Sequence, residues 1–256
     1  MTGVKALVQR IHLWTGLLLG VQVLLWMASG LVMSWFPIEL VRGETNAFVS
    51  EPLALEAQAY ASPGGIIAQA EGATTVELRR FMGRPVYLAR WHSGAAAMFD
   101  ASNGDKITPL KEAQARKVAE LDYVGDGKIV SAALVSHPPQ EYRGATPVWR
   151  IDLDDKLNTR IYVSPETGEV RARRNDIWRL YDFFWMLHIM DYEERENFNN
   201  PLVIVASGTG LVFAISGMLI VIFRLRRGRY SNDLKLLTGQ SPRKAKPPAP
   251  DAEGES

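Results

Sequence analysis

"RIHLWTGLLLGVQVLLWMASG", residues Arg10 to Gly30, is the stretch whose reading decides the fold. No charged residue occurs from Ile11 to Phe36. As a helix rising 1.5 Å per residue this run is about 39 Å long, enough to cross a bilayer with tilt. Two of its residues, His12 and Gln22, are costly in lipid unless something engages them. A cofactor, a neighbouring helix and the headgroup region are the three candidates. A secretory signal peptide is the rival reading of the run. Its apolar length exceeds that of a signal core, and no small-x-small cleavage site follows Trp35, so an uncleaved anchor is expected.

A second charge-free run extends from Pro201 to Phe223. Lys5 and Arg10 precede the first run, and Arg224, Arg226, Arg227 and Arg229 follow the second. The flanks between the runs carry Glu39, Glu44, Glu193, Glu194 and Glu196 instead. Lys and Arg mark the cytoplasmic ends of spans. Both termini are therefore expected in the cytoplasm of a multi-pass protein of a bacterial inner membrane, with residues 37–200 in the periplasm. The formal net charge of +1 gives no basic field for nucleic acid. The absence of Cys excludes disulfides, thiolate metal sites and cysteine nucleophiles. There is no phosphate-binding Gly-rich loop, no HExxH and no GxSxG.

The middle segment repeats itself. "PVYLARWHSGAAAMFDASNGDKI" from Pro85 and "PVWRIDLDDKLNTRIYVSPETGEV" from Pro147 each begin Pro-Val-aromatic, turn, run through a second apolar strand and close on a Gly turn. Trp149, Ile151 and Leu153 alternate with Arg150 and Asp152, as in a half-buried strand. A helical stretch and another strand precede each hairpin: 64–71 and 75–81, then 111–122 and 128–136. The expected fold is thus a membrane protein of α+β class, with two transmembrane helices flanking an extracytoplasmic domain of two such repeats. The divisions are a cytoplasmic N-terminus (1–10), a first span (11–36), a connecting segment (37–62), repeats at 63–110 and 111–174, an interfacial aromatic helix (175–192), a second span (201–223) and a basic tail (224–256). After Gln240 the tail has little to bury and is expected to be disordered.

"PVWRIDLDDKLNTRIYVSPETGEV" resembles the PepSY domain. "RIHLWTG", the Ser29-Gly30 and Ser216-Gly217 pairs and the Leu187-His188 pair resemble the PepSY-associated transmembrane family. Larger members have four spans. The resemblance implies, for some, haem-bearing inner-membrane reductases that deliver electrons to ferric siderophores; isolated PepSY domains are implied to bind or inhibit peptidases. A chain of two spans departs from that pattern and offers fewer ligand positions.

The four histidines carry the remaining chemistry. His12 lies at the inner edge of the first span, with Gly16 and Gly20 following on a slowly drifting face. Small residues there admit a flat porphyrin or another helix, including a homodimer partner. His188 lies in the aromatic segment before the second span, and imidazole is a common haem ligand. His12 and His188 are therefore the candidate metal ligands, for haem b, with Gly16 and Gly20 as cofactor-facing positions. A hydrocarbon core of about 30 Å separates the two faces, so one haem cannot reach both histidines. A second copy or a partner subunit would complete each site. Met27, Met33, Met186 and Met190 are weaker alternatives. Gln22 reads as packing glue toward Ser207, Thr209 or a second copy, and His92 and His137 read as surface residues. Two functions remain in view. One is a haem-linked electron-transfer or reductase component for iron uptake, with a periplasmic ferric siderophore or protein as partner. The other is a membrane-tethered module, without cofactor, that binds an extracytoplasmic protein or peptidase.

Overall fold

The computed structural model describes residues 2–48 and 60–226. The rest of the connecting segment, Arg227, Arg229 and the tail expected to be disordered lie outside the described residues. Two compact units divide the chain, one of residues 1–27 with 197 onward, the other Ala28–Glu196.

Helix α1 (Thr2–Trp35) and a last helix, α6 (Pro201–Arg226), are long and apolar enough to cross a membrane. Helix α1 begins ahead of the apolar run, because Lys5, Ala6, Leu7 and Gln9 favour helix and no proline interrupts them. In the first unit the large side chains point outward: Leu18 is 77% exposed and Met218 67%. The positions turned inward are Leu19, Ala206 and Ser216. This inversion suits helices that face lipid and meet at small or polar residues.

The second unit starts with the end of α1 and a single turn, α2 (Ile38–Val41). It then runs twice through helix, strand, hairpin. The first module is α3 (Pro63–Gln69), β1 (Thr75–Phe81), β2 (Arg84–Arg90) and β3 (Ala96–Asp100). The second is α4 (Glu112–Asp122), β4 (Ile129–Val135), β5 (Val148–Leu153), β6 (Arg160–Val163) and β7 (Val170–Arg174). Both sheets are antiparallel and ordered as in sequence. Helix α5 (Asp176–Ile189) follows, capped by the Asn175 side chain on the Trp178 amide at 2.7 Å.

Alternation along each strand sets the layers. Ile151, Leu153, Ile161 and Val163 bury one face of the second sheet under Ala115 and Ala119 of α4. The opposite face buries Val148, Tyr162 and Ala172 with Tyr142 of the 136–147 loop. In the first module Tyr87, Ala89, Ala97 and Phe99 pack on Ile66 and Ala70 of α3. The other face, with Val86, Leu88 and Met98, packs on Leu110. Strand β2 is thus buried on both sides, which is why "PVYL" reads as a continuous apolar run.

The repeated Gly turn has the same geometry in both modules. The Gly104 amide donates to Asp100 O at 2.8 Å and the Gly168 amide to Ser164 O at 3.0 Å. Both glycines have positive φ, +83° and +66°. The modules differ after this turn. A full strand, β7, follows the second, whereas the first continues only into a lone bridge, Phe99 to Lys106. The modules meet where the Leu110 amide donates to Pro165 O at 2.7 Å and Trp149 Nε1 donates to Leu110 O at 2.9 Å. Arg79 of β1 reaches Glu169 at 2.9 Å, and the Phe81 ring lies where a Gly168 side chain would be.

Two glycines give a matched test. Gly83 has φ +81° and open space around it. Gly83→Ala should cost about 1–2 kcal/mol, the left-handed penalty alone. Gly168→Ala should cost about 1–3 kcal/mol more, since its methyl group overpacks against Phe81. Thermal unfolding of the detergent-purified variants reads the difference, and equal melting temperatures would contradict the packing described.

Candidate functional site

His12 is held by one face of α6. Its ring stacks on Phe213, with centroids 4.3 Å apart and planes 7° from parallel. Its Nδ1 lies 3.0 Å from Ser216 Oγ and 3.2 Å from Phe213 O. Phe213, Ser216 and Gly217 stand at i, i+3 and i+4 and so share a face. A Cβ at Gly217 would come within 3.0 Å of His12 Cε1, so only glycine lets the ring lie here without displacement.

The proton positions follow from the acceptors. Ser216 Oγ donates to Phe213 O at 2.8 Å, and that carbonyl can only accept. The tautomer that satisfies both contacts at once carries its proton on Nδ1, toward Ser216 Oγ and Phe213 O. Nε2 is left with its lone pair, and among the described residues it makes no hydrogen bond. In this tautomer Nδ1 is anchored by protein and Nε2 keeps its lone pair.

One turn further along α1, Gly16 makes room for the same Phe213 ring, which a Cβ would meet at 2.7 Å. The space beside Gly16 that the sequence offers to a porphyrin or another helix holds Phe213 of the same chain. Gly20 has nothing within 4 Å of where a Cβ would stand.

His188 sits in the last turn of α5, just before Met190 closes the helix with φ +55°. Its Nδ1 lies 2.9 Å from Ser29 Oγ, and Ser29 is fully buried. A hydroxyl both donates and accepts, so this contact permits either tautomer. Each candidate histidine is thus tied through Nδ1 to the serine of a Ser-Gly pair. Those pairs were visible in the sequence, but nothing in their spacing assigned them to the histidines. Thr209 of α6 spends its hydroxyl on Val205 O at 2.8 Å. His92 and His137 are exposed. Among the described residues no group of three or more His, Asp or Glu could hold a metal ion.

A network of arginines and two buried acids fixes α5 to the second sheet, and the sequence reading missed it. Glu141 accepts from Arg179 Nε of α5 at 2.8 Å, and from Arg160 Nη1 at 2.9 Å and Tyr162 Oη at 2.7 Å of β6. Asp182 of α5 accepts from Arg143 at 2.8 Å and Arg195 at 2.6 Å. Arg174 stacks over Trp178 at 4.2 Å. The available signal was the density of arginine, "VRARR" followed by Arg179, facing few acids. Burial pushes the Glu141 carboxyl up, but the hydrogen bonds from Arg179, Tyr162 and Arg160 outweigh it and hold the group below the ordinary value. Burial first, then the bond to Glu141, pushes the Tyr162 phenol up, so it stays protonated and donating.

This network has a pH signature. A carboxylate with a depressed folded pKa stabilises fully above its unfolded value and loses that contribution as pH falls through the folded one. Glu141→Gln should cost about 3 kcal/mol near neutrality, as for one partner removed from a buried ion pair. The gap in melting temperature from the parent should then close in acid, as pH falls below the ordinary carboxylate range and the parent's own carboxyl protonates. A gap that stays constant down to acid would show that Glu141 is not held as the charged form.

The description "PepSY-associated TM region" matches residues 9–246. No curated protein and no solved structure matches the chain. The matched region runs from ahead of His12 to beyond α6, so it contains both apolar helices, both sheets and both histidine–serine contacts. The chain belongs to the PepSY-associated transmembrane family and is a membrane protein of that family.

Proposed function

We propose that this protein is a haem-linked electron-transfer or reductase component of a bacterial inner membrane, serving reduction of iron in the periplasm. The observation that carries the reading is the setting of His12, with Nδ1 in contact with Ser216 Oγ and Phe213 O and Nε2 without a hydrogen bond among the described residues. That donor set suits an imidazole that would hold haem b, and His188, tied to Ser29, is the second residue that would hold one. Haem bound at these imidazoles would supply one-electron chemistry. The chain's own part is orientation. Ser216 and the carbonyl set the tautomer, Phe213 fixes the ring plane and Gly217 leaves room for the ring.

In this reading both termini are cytoplasmic and residues 37–200 periplasmic, as the arrangement of Arg and Glu at the span ends supports. His12 then serves the inner face and His188 the outer. Another copy of the chain or a partner subunit would supply the further residue needed to hold haem at each face. The acceptor is a ferric siderophore or an iron-bearing protein.

A second reading, a tethered module that binds an extracytoplasmic protein or peptidase, is favoured by β4. This strand is the open edge of its sheet and exposes Val130 and Leu134. Such an edge can take an added strand from a partner.

The absorption spectrum of detergent-purified protein, oxidised and dithionite-reduced, separates the readings. A Soret band with sharp reduced α and β bands is expected. His12→Ala should remove or halve it, and Ser216→Ala should keep it with a shifted midpoint potential. Protein purified intact from a haem-replete host without any haem band would overturn the first reading and leave the second.

A further inference from the structure

A cavity of about 350 Å³ opens on the second module, and neither candidate histidine lines it. Its lining includes Arg143, Arg171 and Arg174, with Tyr142 and Glu196. The positive groups here outnumber the acids that could neutralise them. Arg174 gives Nε to Glu141 O at 2.7 Å and Nη1 to Arg173 O at 3.0 Å. Both partners are neutral carbonyls, and Arg174 forms no salt bridge among the described residues. Arg143 shares the single carboxylate of Asp182 with Arg195. Its Nε is buried and makes no hydrogen bond; Glu196 lies 3.8 Å from it and is largely exposed. Arg171 shares Glu169 with Arg79 and Arg90, and lies 3.3 Å from it.

A half-buried guanidinium without a counter-charge is costly, and an orphaned buried donor beside it adds to the cost. Burial pushes the Arg174 guanidinium down from its ordinary value and outweighs the opposing pull of the Glu141 and Asp182 carboxylates, while Arg143 repels it. Guanidinium forks match the paired oxygens of phosphates and carboxylates. Trp178 beneath Arg174 and the Tyr142–Tyr162 stack, centroids 4.6 Å apart, hold this side of the cavity firm.

We propose that the Arg143–Arg171–Arg174 cavity is a binding site for a phosphate-type oxyanion, independent of any haem. Two sources share that chemistry: a free phosphate compound, or the headgroup of an anionic phospholipid. Glu196, in the cavity lining, is followed after a few residues by α6 in the chain, which is why the headgroup is tested beside the free ion.

The test uses the full chain in a phosphate-free, zwitterionic detergent. Inorganic phosphate is titrated by calorimetry, and short-chain phosphatidylglycerol is compared with phosphatidylcholine by native mass spectrometry. Arg174→Gln and Arg171→Gln are run beside Arg116→Gln, an exposed-helix control paired with Glu112. The expected result is binding of phosphate or phosphatidylglycerol that weakens at least tenfold in Arg174→Gln and Arg171→Gln and is unchanged in Arg116→Gln. Loss confined to phosphate assigns a free ligand; loss confined to phosphatidylglycerol assigns the headgroup. Arg171 is the more exposed, so Arg171→Gln keeps the test valid if Arg174→Gln fails to fold. Absence of both ligands from the parent protein, or equal binding by parent and both variants, overturns the proposal.

Discussion

A buried charge must be answered where it sits, and Glu141 is buried in a loop. Its answer comes from three directions: Arg160 and Tyr162 of β6, and Arg179 of α5. Because the acid cannot be left alone, the loop, the sheet and the helix have one mutual arrangement. Asp182, three residues beyond Arg179, repeats the device with Arg143 and Arg195. Helix α5 is therefore placed by charge along one side, and it carries His188 at its far end. The position of that histidine depends on ion pairs formed about two turns away.

The two candidate histidines share a local solution without sharing a site. In each, a serine takes the Nδ1 contact, and each serine is followed by glycine. At His12 the glycine is required, because the ring occupies the place of a side chain. At Gly30 there is open space instead. The resemblance is thus in the hydrogen bond, and the steric need differs. Phe213 shows how closely the inner contact is drawn. Its ring lies against His12 and over Gly16, one helical turn apart. Changing any of the three would disturb the other two.

Most of the fold was legible because its signals are periodic. Charge-free length marked the helices, and alternation at Trp149, Ile151 and Leu153 marked both the strand and its inward face. The strand β1 and the helix α4 begin and end where the turn residues around them predicted, to within a residue. The site was legible in part. His12 and His188 stand out because imidazole is rare and costly beside a span. Their partners do not, since a serine distant in sequence carries no mark of what it meets across a helix contact. The arginine network was hidden for a related reason: in sequence its members look like solvated surface charges, and only burial separates Glu141 from Glu112. Gly16 was misleading in its breadth, since a small residue announces close approach but not which group approaches.

The turn at Gly104 and the turn at Gly168 are the same local structure in unlike surroundings. The first lies against Ile66 and Gln69 of its own helix; the second lies under Phe81 of the other module. One surface is thus used internally in the first module and externally in the second. In the language of assemblies this is a heterologous contact, the kind that propagates when every copy offers both halves. Here the first module has already folded its own half away, so the series terminates after a single step. Through this turn, two modules form a closed pair.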